Sequence, residues 1–542
     1  MKLSNIKYQF ICISLLLLLS GCIGKFTDLD PEPRNIYTEK EIWKTLENTY
    51  LYINGFYKPI YEYGPYGIKY AGVSLNDGFS DIVKYNQHVM GANGGDVNKT
   101  ILSSVISPSN AVLSDYTYEY NRIRRINEFL YGLENYVQYD ENDRILMEAQ
   151  ARFFRAFLHF MLVRSHGDII IRDYIDGPKE AYKARSSEKE CYDFISKEFD
   201  FAAQNLPKEW DKESLGRLTR GGVYGYKSRV MLYAERWQDA INAAEEVIKE
   251  EGKLYELESE YDNIFKTKDS KEGVLSYRFG GTLGHTFHRL YSPKGDKSEG
   301  ISGIAVPTLE MVDSYRMKDG SKFDWNNPVH AANPYENREP RFYASILYNG
   351  APWKGRTIQT FVGGIEGFEQ YGAQQSSGGT TTGYYIRKMI DENAPLDGIS
   401  TQTWYEVRYA EVLLNHAEAL NELGRSQEAL VSLNKVRTRA KLPIITITDQ
   451  VALREIIREE RKVELAFEGH RIWDLRRWKT AVETLNGKRM HGTKITRSGD
   501  SWIYETVECD NQNRIFKDSY YKLPVPQSEI NNNPLCKQTP LW

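Results

Sequence analysis

Residues 460–479 read ERKVELAFEGHRIWDLRRWK and concentrate acids, bases, a histidine and two tryptophans in one segment with helical spacing. Side chains three and four residues apart lie on the same helix face, so Glu468 is expected next to Arg471, with further opposite charges along the same helix. Leucine, isoleucine and tryptophan cover the other sides, and a buried carboxylate needs a cationic partner. We therefore predict a structural ion network instead of a catalytic site, formed by Glu464, Glu468, Arg471 and Asp474.

Helical patterns extend beyond this segment. Apolar residues recur at steps of three and four along residues 38–265 and again from about residue 404. Between these regions, the chain is rich in Gly, Asn, Pro, Ser and Thr, with short strand-like pieces such as RFYASILYN (341–349). The predicted fold is mainly α, with a helical scaffold over 38–265, a large irregular, loop-rich insertion over 266–403 and a C-terminal helical region with a tail over 404–542.

Two helix pairs carry the spacing of tetratricopeptide-like hairpins. In such hairpins, small residues about twelve positions apart let the two helices approach closely across a short turn. Ser228 and Ala240 occupy these positions in one pair, and Ala417 and Ala429 occupy them in the other, where Gly424 lies at the turn. Because a long insertion separates the pairs, we predict a scaffold of tetratricopeptide-like helix pairs instead of a long regular solenoid.

The N-terminus has the pattern of a secretion signal. Lys2 and Lys7 precede the apolar run ICISLLLLL, which leads through Leu-Ser-Gly to Cys22. The run is too short to span a bilayer comfortably, and its ending resembles the lipid-attachment site of bacterial lipoproteins. We predict a signal peptide over residues 1–21, lipid attachment at Cys22, and an extended tether over 22–37 that holds the protein at a membrane.

Charge and cysteine usage exclude several classes of protein. Removing the signal peptide takes away two lysines and no acid, which changes the formal net charge from −4 to −6. An acidic chain of this kind is a poor partner for nucleic acid. No CxxC motif is present, so we predict neither a disulfide framework nor a zinc site from the three cysteines that follow Cys22, which are Cys191, Cys509 and Cys536.

No catalytic motif stands out along the chain. The sequence contains no GxSxG elbow, no GxxxxGK phosphate loop and no HExxH motif. His285 and His288 lack a nearby acid or cysteine that would complete a metal site, so no metal or cofactor is predicted. Glu310, Asp313 and Asp319 leave a glycosidase acid pair open, because the sequence does not determine the separation of the carboxylates.

Several segments carry a family resemblance in the same order along the chain. They include NRIRRINEFL (121–130), VRYAEVLLNHAEALNELG (407–424), the stretch 460–479 and the closing YYKLPVPQSEINNNPL (520–535). Together they resemble the SusD/RagB family of outer-membrane nutrient-binding lipoproteins. The final QTPLW departs from the glycine-containing ending expected for that family.

The resemblance implies a helical fold with tetratricopeptide-like pairs on one side and an irregular, ligand-facing portion on the other. It also implies a lipid-anchored protein of the outer membrane that faces the exterior and is not an enzyme. Such a protein would cap a SusC-like TonB-dependent transporter and deliver oligosaccharides or, in some members, peptides to it. An oligopeptide-binding lipoprotein and a surface glycoside hydrolase remain as alternatives.

Ligand contacts are expected in loops. Sugar rings present apolar C–H faces to tyrosine or tryptophan and need amide or charged groups for their hydroxyls. The 38 tyrosines, against 21 phenylalanines, suit such a surface and equally suit a peptide surface. We expect the ion network to lie far from the candidate ligand residues, which are Asp77, Tyr85, Asn86, Tyr291, Trp325 and Trp353.

Overall fold

In the computed structural model, a layer of helices carries a large irregular insertion. The described residues are 42–67, 76–86, 106–111, 113–136, 139–177, 180–296, 302–370 and 379–542. The predicted signal peptide, Cys22 and the tether therefore lie outside the described residues. Across the described ranges, no helix combines the length and the apolar character that crossing a membrane requires.

Helices make up most of the regular structure. In chain order they are α1 (Leu46–Asn54), α2 (Lys58–Glu62), α3 (Tyr116–Asn135), α4 (Glu141–His166), α5 (Glu188–Asn205), α6 (Arg220–Tyr233), α7 (Trp237–Ile248), α8 (Phe287–Tyr291), α9 (Leu309–Val312), α10 (Pro328–Ala332), α11 (Pro340–Ser345), α12 (Tyr409–Glu422), α13 (Ser426–Arg439), α14 (Gln450–Glu464), α15 (Arg471–Arg477), α16 (Ala481–Leu485) and α17 (Gln527–Asn532). Local capping supports them. At the start of α5, for example, Ser187 and Glu190 form a reciprocal capping box.

In the described ranges, the strands are short and form two-stranded sheets. They are β1 (Val83–Tyr85), β2 (Gly273–Tyr277), β3 (Ala305–Pro307), β4 (Ile346–Leu347), β5 (Pro352–Trp353), β6 (Arg356–Thr357), β7 (Tyr385–Ile386), β8 (Trp404–Arg408), β9 (His491–Ser498) and β10 (Ser501–Glu508). The antiparallel pairs are β1 with β3, β2 with β8, β4 with β7, β5 with β6 and β9 with β10.

The long helices pack in succession. α3 packs on α4, α4 on α5, α5 on α6 and α6 on α7, and α7 then packs on α12, which contacts α13 and α14. The two predicted pairs are α6 with α7 and α12 with α13. The small residues of these pairs have no exposed surface, and their short side chains let the helix axes approach closely. These residues are Ser228, Ala240, Ala417 and Ala429. The predicted mainly α fold with tetratricopeptide-like pairs is confirmed.

The two ends of the insertion are joined in the structure. β2 pairs with β8, which places Gly273 opposite Arg408 and Tyr277 opposite Trp404. Both strands also pack on α6. The insertion therefore leaves and re-enters the helical layer at one place, and α12 continues the layer that α7 ended.

Two local predictions are wrong. In the piece 341–349, residues 341–345 belong to α11 and only Ile346–Leu347 form a strand. Pro340 occupies the first turn of α11, where its missing N–H costs nothing. The single helix expected over 460–479 is broken between α14 and α15, where Phe467 and Gly469 have φ values of 66° and 85°. This left-handed region ends helical continuity and favours glycine. Some charges expected to pair along one helix therefore find partners elsewhere in the fold, as Glu468 does with Lys388 and Arg408.

One continuous apolar core joins the three regions. It includes Phe157 and Tyr226 from the helical layer, Trp404 at the neck of the insertion, Ile386 inside the insertion and Ile495 on β9. Each of these side chains is at most 2% exposed. Removal of water from this shared core stabilises the insertion on the helical layer, since its own two-stranded sheets contribute few hydrogen bonds.

Candidate functional site

Glu464 and Glu468 lie in a buried ion network that ties the helical layer to the insertion. Glu464 accepts hydrogen bonds from Arg341 at 3.0 Å and from Arg408 at 3.2 Å. Glu468 lies 2.6 Å from both Lys388 and Arg408. Arg408 is the last residue of β8, while Arg341 and Lys388 belong to the insertion. The network therefore fastens α14 and the turn after it to the insertion.

Ion pairing outweighs burial for the acids of this network. Burial alone would raise the pKa of Glu464, but Arg439 and Arg408 lower that pKa far below its ordinary value. Burial would likewise raise the pKa of Glu468, but Arg408 lowers that pKa below its ordinary value. Both carboxylates are consequently ionised at neutral pH and serve as structural anions.

The other two predicted members of the network, Arg471 and Asp474, lie on α15. Asp474 is 3.3 Å from Arg461 and 2.8 Å from Arg477. Arg471 donates to both carboxylate oxygens of Asp81, at 2.8 and 3.0 Å. Each of these two charges thus has an opposite charge within hydrogen-bonding reach, and Asp81 lies far away in sequence.

Asp77, a predicted ligand residue, lies against this ion network. Its carboxylate accepts the backbone N–H groups of Gly469 at 3.0 Å and Arg471 at 3.2 Å, and the residue has no exposed surface. Burial raises the pKa of Asp77 to about 7. The expectation that the network is far from every candidate ligand residue is wrong here, because Asp77 binds the free N–H groups where α15 begins.

Four more of the candidate ligand residues are buried. Asn86 accepts a hydrogen bond from the hydroxyl of Thr381 at 2.9 Å, and the Trp353 indole donates to Asp296 at 2.7 Å. These contacts make the side chains part of the packing, so in this conformation they do not form a ligand surface. The four, at 2% exposure or less, are Tyr85, Asn86, Tyr291 and Trp353.

Trp325, the sixth candidate, is partly exposed and belongs to a row of aromatic side chains. Its ring centre lies 6.2 Å from that of Tyr504 on β10. Trp502 is on the same face of β10, two residues earlier, and its ring centre lies 5.0 Å from that of Phe361. Trp502 is 37% exposed. We call Phe361, Trp502, Tyr504 and Trp325 the aromatic row.

Backbone and side-chain hydrogen bonds hold the row in place. The N–H of Val362 donates to the carbonyl of Ile495 at 2.8 Å, which fixes the loop carrying Phe361 against β9. The Trp325 indole N–H donates to Asp313 at 3.1 Å. Burial raises the pKa of Asp313 to about 6. The rings are therefore positioned before any ligand binds, which lowers the entropic cost of binding.

A cleft of about 490 Å³ adjoins the aromatic row at Asp313. α9, α14, α15 and α16 contribute to its walls. The Glu459 carboxylate lies 2.5 Å from Arg316 and 2.6 Å from Lys322 on its rim. We call this the charged cleft, and its polar lining includes Glu310, Asp313, Arg316, Lys322, Glu459 and Lys462.

The row and the cleft together suit a ligand with both apolar faces and hydroxyl groups. Ring faces of tryptophan and tyrosine bind C–H surfaces, while ionised side chains form strong hydrogen bonds with hydroxyls. The cleft supplies mainly charged and polar groups, and the row supplies the apolar surface. The arrangement thus has the groups needed to orient and bind such a ligand.

The three acids considered for glycosidase chemistry do not all lie in the charged cleft. Glu310 lines the charged cleft and accepts hydrogen bonds from the ring and the backbone N–H of His491, at 2.6 and 3.1 Å. Asp319 lies on an exposed turn, where it accepts a hydrogen bond from the Ser321 hydroxyl. The cleft thus contains Glu310 and Asp313 but not Asp319.

His285 and His288 are buried in the insertion. Burial lowers the pKa of His285 to about 3, so its ring is neutral at physiological pH. The ring stacks on Tyr66 with the centres 3.7 Å apart. Among the described residues, no three His, Cys, Asp or Glu side chains are grouped so that they could hold a metal ion.

Sequence reasoning missed three of the four residues of the aromatic row. Trp502 and Tyr504 could have been found in SGDSWIYETVE (498–508), because a Gly-Asp turn followed by alternating side chains is typical of a hairpin with one aromatic face. Phe361 lies in a loop without such periodicity, and only the folded chain brings it next to Trp502.

Family models match both halves of the chain. The model described as the SusD family matches residues 264–542. A second, described as starch-binding and associating with the outer membrane, matches residues 71–232. Among characterised sequences, the chain is similar to SusD-like protein P2 of Formosa agariphila. The two are 27% identical over 502 residues, which cover 88% of this chain and 92% of that protein.

Solved structures share the fold over nearly the whole chain. A SusD-like protein from Bacteroides fragilis matches with a TM-score of 0.80 and 28% identity, covering 93% of this chain and 99% of its own. A SusD-like carbohydrate-binding protein from the same species matches with a TM-score of 0.78 and 24% identity, covering 92% and 100%. A laminarin-binding SusD-like protein has a TM-score of 0.66 and 21% identity, with coverage of 92% and 99%. The last two likenesses show the fold alone.

Proposed function

Because the chain belongs to the SusD family, we propose that it binds oligosaccharides at the outer membrane and delivers them to a SusC-like TonB-dependent transporter. The description of the second family model, starch-binding and associated with the outer membrane, supports both the ligand class and the location. In this proposal the protein is anchored through a lipid on Cys22, faces the exterior and catalyses no reaction.

The observation that carries the proposal is the exposed Trp502 in the aromatic row. Its ring is 37% exposed and is braced by Phe361 at 5.0 Å. A sugar ring can stack on this surface while its hydroxyls reach the charged groups beside Trp325.

The test is calorimetric titration of the full-length, detergent-solubilised protein with soluble oligosaccharides. A panel of hexasaccharides from β-1,3-glucan, α-1,4-glucan, xylan and mannan covers common neutral backbones. We expect at least one to bind and Trp502→Ala to weaken that binding by about tenfold or more. Ile503→Ala is the matched control, because Ile503 is the next residue of β10 and is 54% exposed.

Different outcomes separate the alternatives. Recovery of intact hexasaccharide after prolonged incubation supports a binding protein, whereas shortened products would require a hydrolase. If none of the hexasaccharides binds and a mixture of oligopeptides does, the proposed ligand class is wrong and the peptide alternative takes its place.

Delivery to a transporter needs its own measurement. A tagged copy of the full-length chain, purified in mild detergent from its own host's outer membranes, should retain a TonB-dependent barrel protein identifiable by mass spectrometry. Absence of any such barrel, with the tagged protein present in the same membranes, would contradict the proposed partnership.

A further inference from the structure

A second concave surface lies on the helical layer and shares no residue with the aromatic row. It consists of two adjoining cavities, of about 410 and 570 Å³, that run along α3. Both are lined by Asn127, Tyr174 and Ile175, so the turn that carries Tyr174 and Ile175 borders each of them. The 20 residues of α3 span about 30 Å, which gives the surface the length of an extended ligand. We call the two cavities together the tyrosine groove.

The groove presents exposed tyrosine rings. Tyr131, from α3, is 48% exposed, and Tyr174 is 47% exposed. Stacking of a ligand on their exposed surface would remove apolar area from water. The Lys183 ammonium lies 4.2 Å from the centre of the Tyr174 ring. Some of the many tyrosines of the chain are therefore exposed on a surface outside the proposed binding site.

Buried hydrogen bonds hold the turn beside these rings. Asn127 is 3% exposed, and its side-chain amide donates to the carbonyls of Arg172 and Tyr174, both at 3.1 Å. Arg155 in turn donates to the Asn127 side-chain oxygen at 3.0 Å. The position of Tyr174 is therefore set by groups on α3 and α4, and binding needs little ordering of the turn.

The first cavity also contains hydroxyl and amide groups. Tyr116 is 6% exposed and lines the cavity beside Tyr120, with which its hydroxyl interacts and whose ring centre lies 4.7 Å from its own. Thr117 and Asn121 line the same cavity and add donor and acceptor groups.

Five arginines and five acids line the groove and balance in charge, and several of them pair with each other. Arg144 lies 3.0 Å from Glu148, which is 2.6 Å from Arg152. Arg172 pairs with Asp176 in the first cavity. With these charges balanced internally, the groove offers no excess of either sign to attract an ionic ligand. Rings, amides and hydroxyls remain as its recognition groups, and these suit an uncharged polyhydroxylated ligand.

We infer that the tyrosine groove is a second glycan-binding site, specific for an uncharged oligosaccharide. The inference rests on the proposed function for the chemical class of the ligand, but it concerns a different surface. Two sites on one protein bind a long polysaccharide more tightly than a short oligosaccharide, because the second contact becomes intramolecular.

The inference is tested by the number of ligands bound per chain. The full-length, detergent-solubilised protein is titrated calorimetrically with the same four neutral hexasaccharides. We expect two molecules per chain for the binding glycan. In the double variant Tyr131→Ala/Tyr174→Ala, one binding site should keep its affinity and the affinity of the other should fall by about tenfold or more. Tyr182→Ala is the matched control, since Tyr182 is 56% exposed but does not line either cavity.

The outcomes distinguish this inference from the proposed function. One ligand per chain, lost in Trp502→Ala and unchanged in the double variant, overturns the second site and leaves the proposed function in place. No binding of any hexasaccharide to the unaltered protein overturns both. Binding at the groove of an oligopeptide or a hexuronate, shown by its loss in the double variant, without binding of a neutral glycan there, overturns the inferred ligand class.

Discussion

Arg408 and Glu468 form a doubly hydrogen-bonded ion pair, with Nε 2.7 Å from Oε2 and Nη2 2.6 Å from Oε1. Arg408 is 1% exposed and Glu468 is 6% exposed. The pair joins the end of the insertion to the turn between α14 and α15. It is therefore a connection between distant parts of the chain, formed by charges that water cannot screen effectively.

Replacing Glu468 by alanine should lower the free energy of unfolding by about 3–5 kcal/mol, because Arg408 and Lys388 would lose a buried counter-charge. Urea unfolding measures the change. Glu428→Ala, at an exposed ion pair with Arg425, is the control and should leave the midpoint unchanged. Glycan affinity of the folded Glu468→Ala protein should equal that of the parent; equal stability combined with lost binding would contradict a structural role.

Glu418 should make stability depend on acid pH. It accepts hydrogen bonds from Arg477 at 2.7 Å and from Trp478 at 2.8 Å. Burial would raise the pKa of Glu418, but Arg477 lowers it from 4.5 to about 2. The ionised form is thus favoured by folding, and this stabilisation is present above about pH 4.5 and is lost as the pH falls toward 2.

Glu418→Gln should therefore lower the free energy of unfolding at pH 7 by about 3 kcal/mol. The difference between the two proteins should shrink between pH 5 and pH 2. Urea titrations at several pH values measure it, with Glu455→Gln on the exposed side of α14 as the control. A difference that stays constant down to pH 2 would show that ionisation of Glu418 does not contribute.

Asp313 should make stability depend on pH in the sense opposite to Glu418. Burial raises its pKa from 3.8 to about 6, so the folded protein holds this proton more tightly than the unfolded chain. Stability from this group is present below about pH 4 and is lost as the pH rises to 6. Asparagine keeps a carbonyl acceptor for Trp325 and removes the charge.

Asp313→Asn should thus be more stable than the parent at pH 7, by about 1–2 kcal/mol after allowance for partial exposure, and equally stable near pH 4. Thermal unfolding followed by tryptophan fluorescence provides the measurement. Asp319→Asn, on an exposed turn, is the control. A less stable Asp313→Asn protein at pH 7 would mean that the negative charge is itself stabilising.

Enlarging a small residue between paired helices should be costly. Ala417 on α12 has no exposed surface, so Ala417→Leu forces overpacking and should lower the free energy of unfolding by about 1–3 kcal/mol. Val431→Leu is the control, because Val431 is 63% exposed on α13. It should change stability by less than about 0.5 kcal/mol. Equal effects of the two substitutions would contradict close packing at Ala417.

Local patterns predicted the helical frame well. A helix buries one face, and this requirement leaves apolar residues at steps of three and four that are visible without the fold. The close approach of paired helices likewise leaves small residues, as at Ser228 and Ala240. The same periodicity wrongly predicted helix through residues 465–470. The left-handed turn at Phe467 and Gly469 hardly changes the spacing of apolar residues, so the pattern does not reveal it.

The candidate ligand residues show where local reasoning fails. An aromatic ring or an amide in a loop serves equally well in a buried hydrogen bond or on an exposed ligand surface. Trp353, paired with Asp296, and Trp325, partly exposed, have similar loop contexts but different surroundings. Exposure depends on which distant segment covers the side chain, and the loop sequence does not contain that information.

The sequence by itself determined the mainly α class, the two helix pairs and the likeness to the SusD/RagB family, since these depend on residues close together in the chain. Only the tertiary structure decided that Glu468 pairs with Arg408 and that Phe361 lies beside Trp502. A buried carboxylate needs a cation or hydrogen-bond donors, and a neighbouring ring can hold an exposed ring in place. The sequence does not specify which residue supplies either partner, because many distant residues offer the same chemistry and only the folded backbone brings one of them within reach.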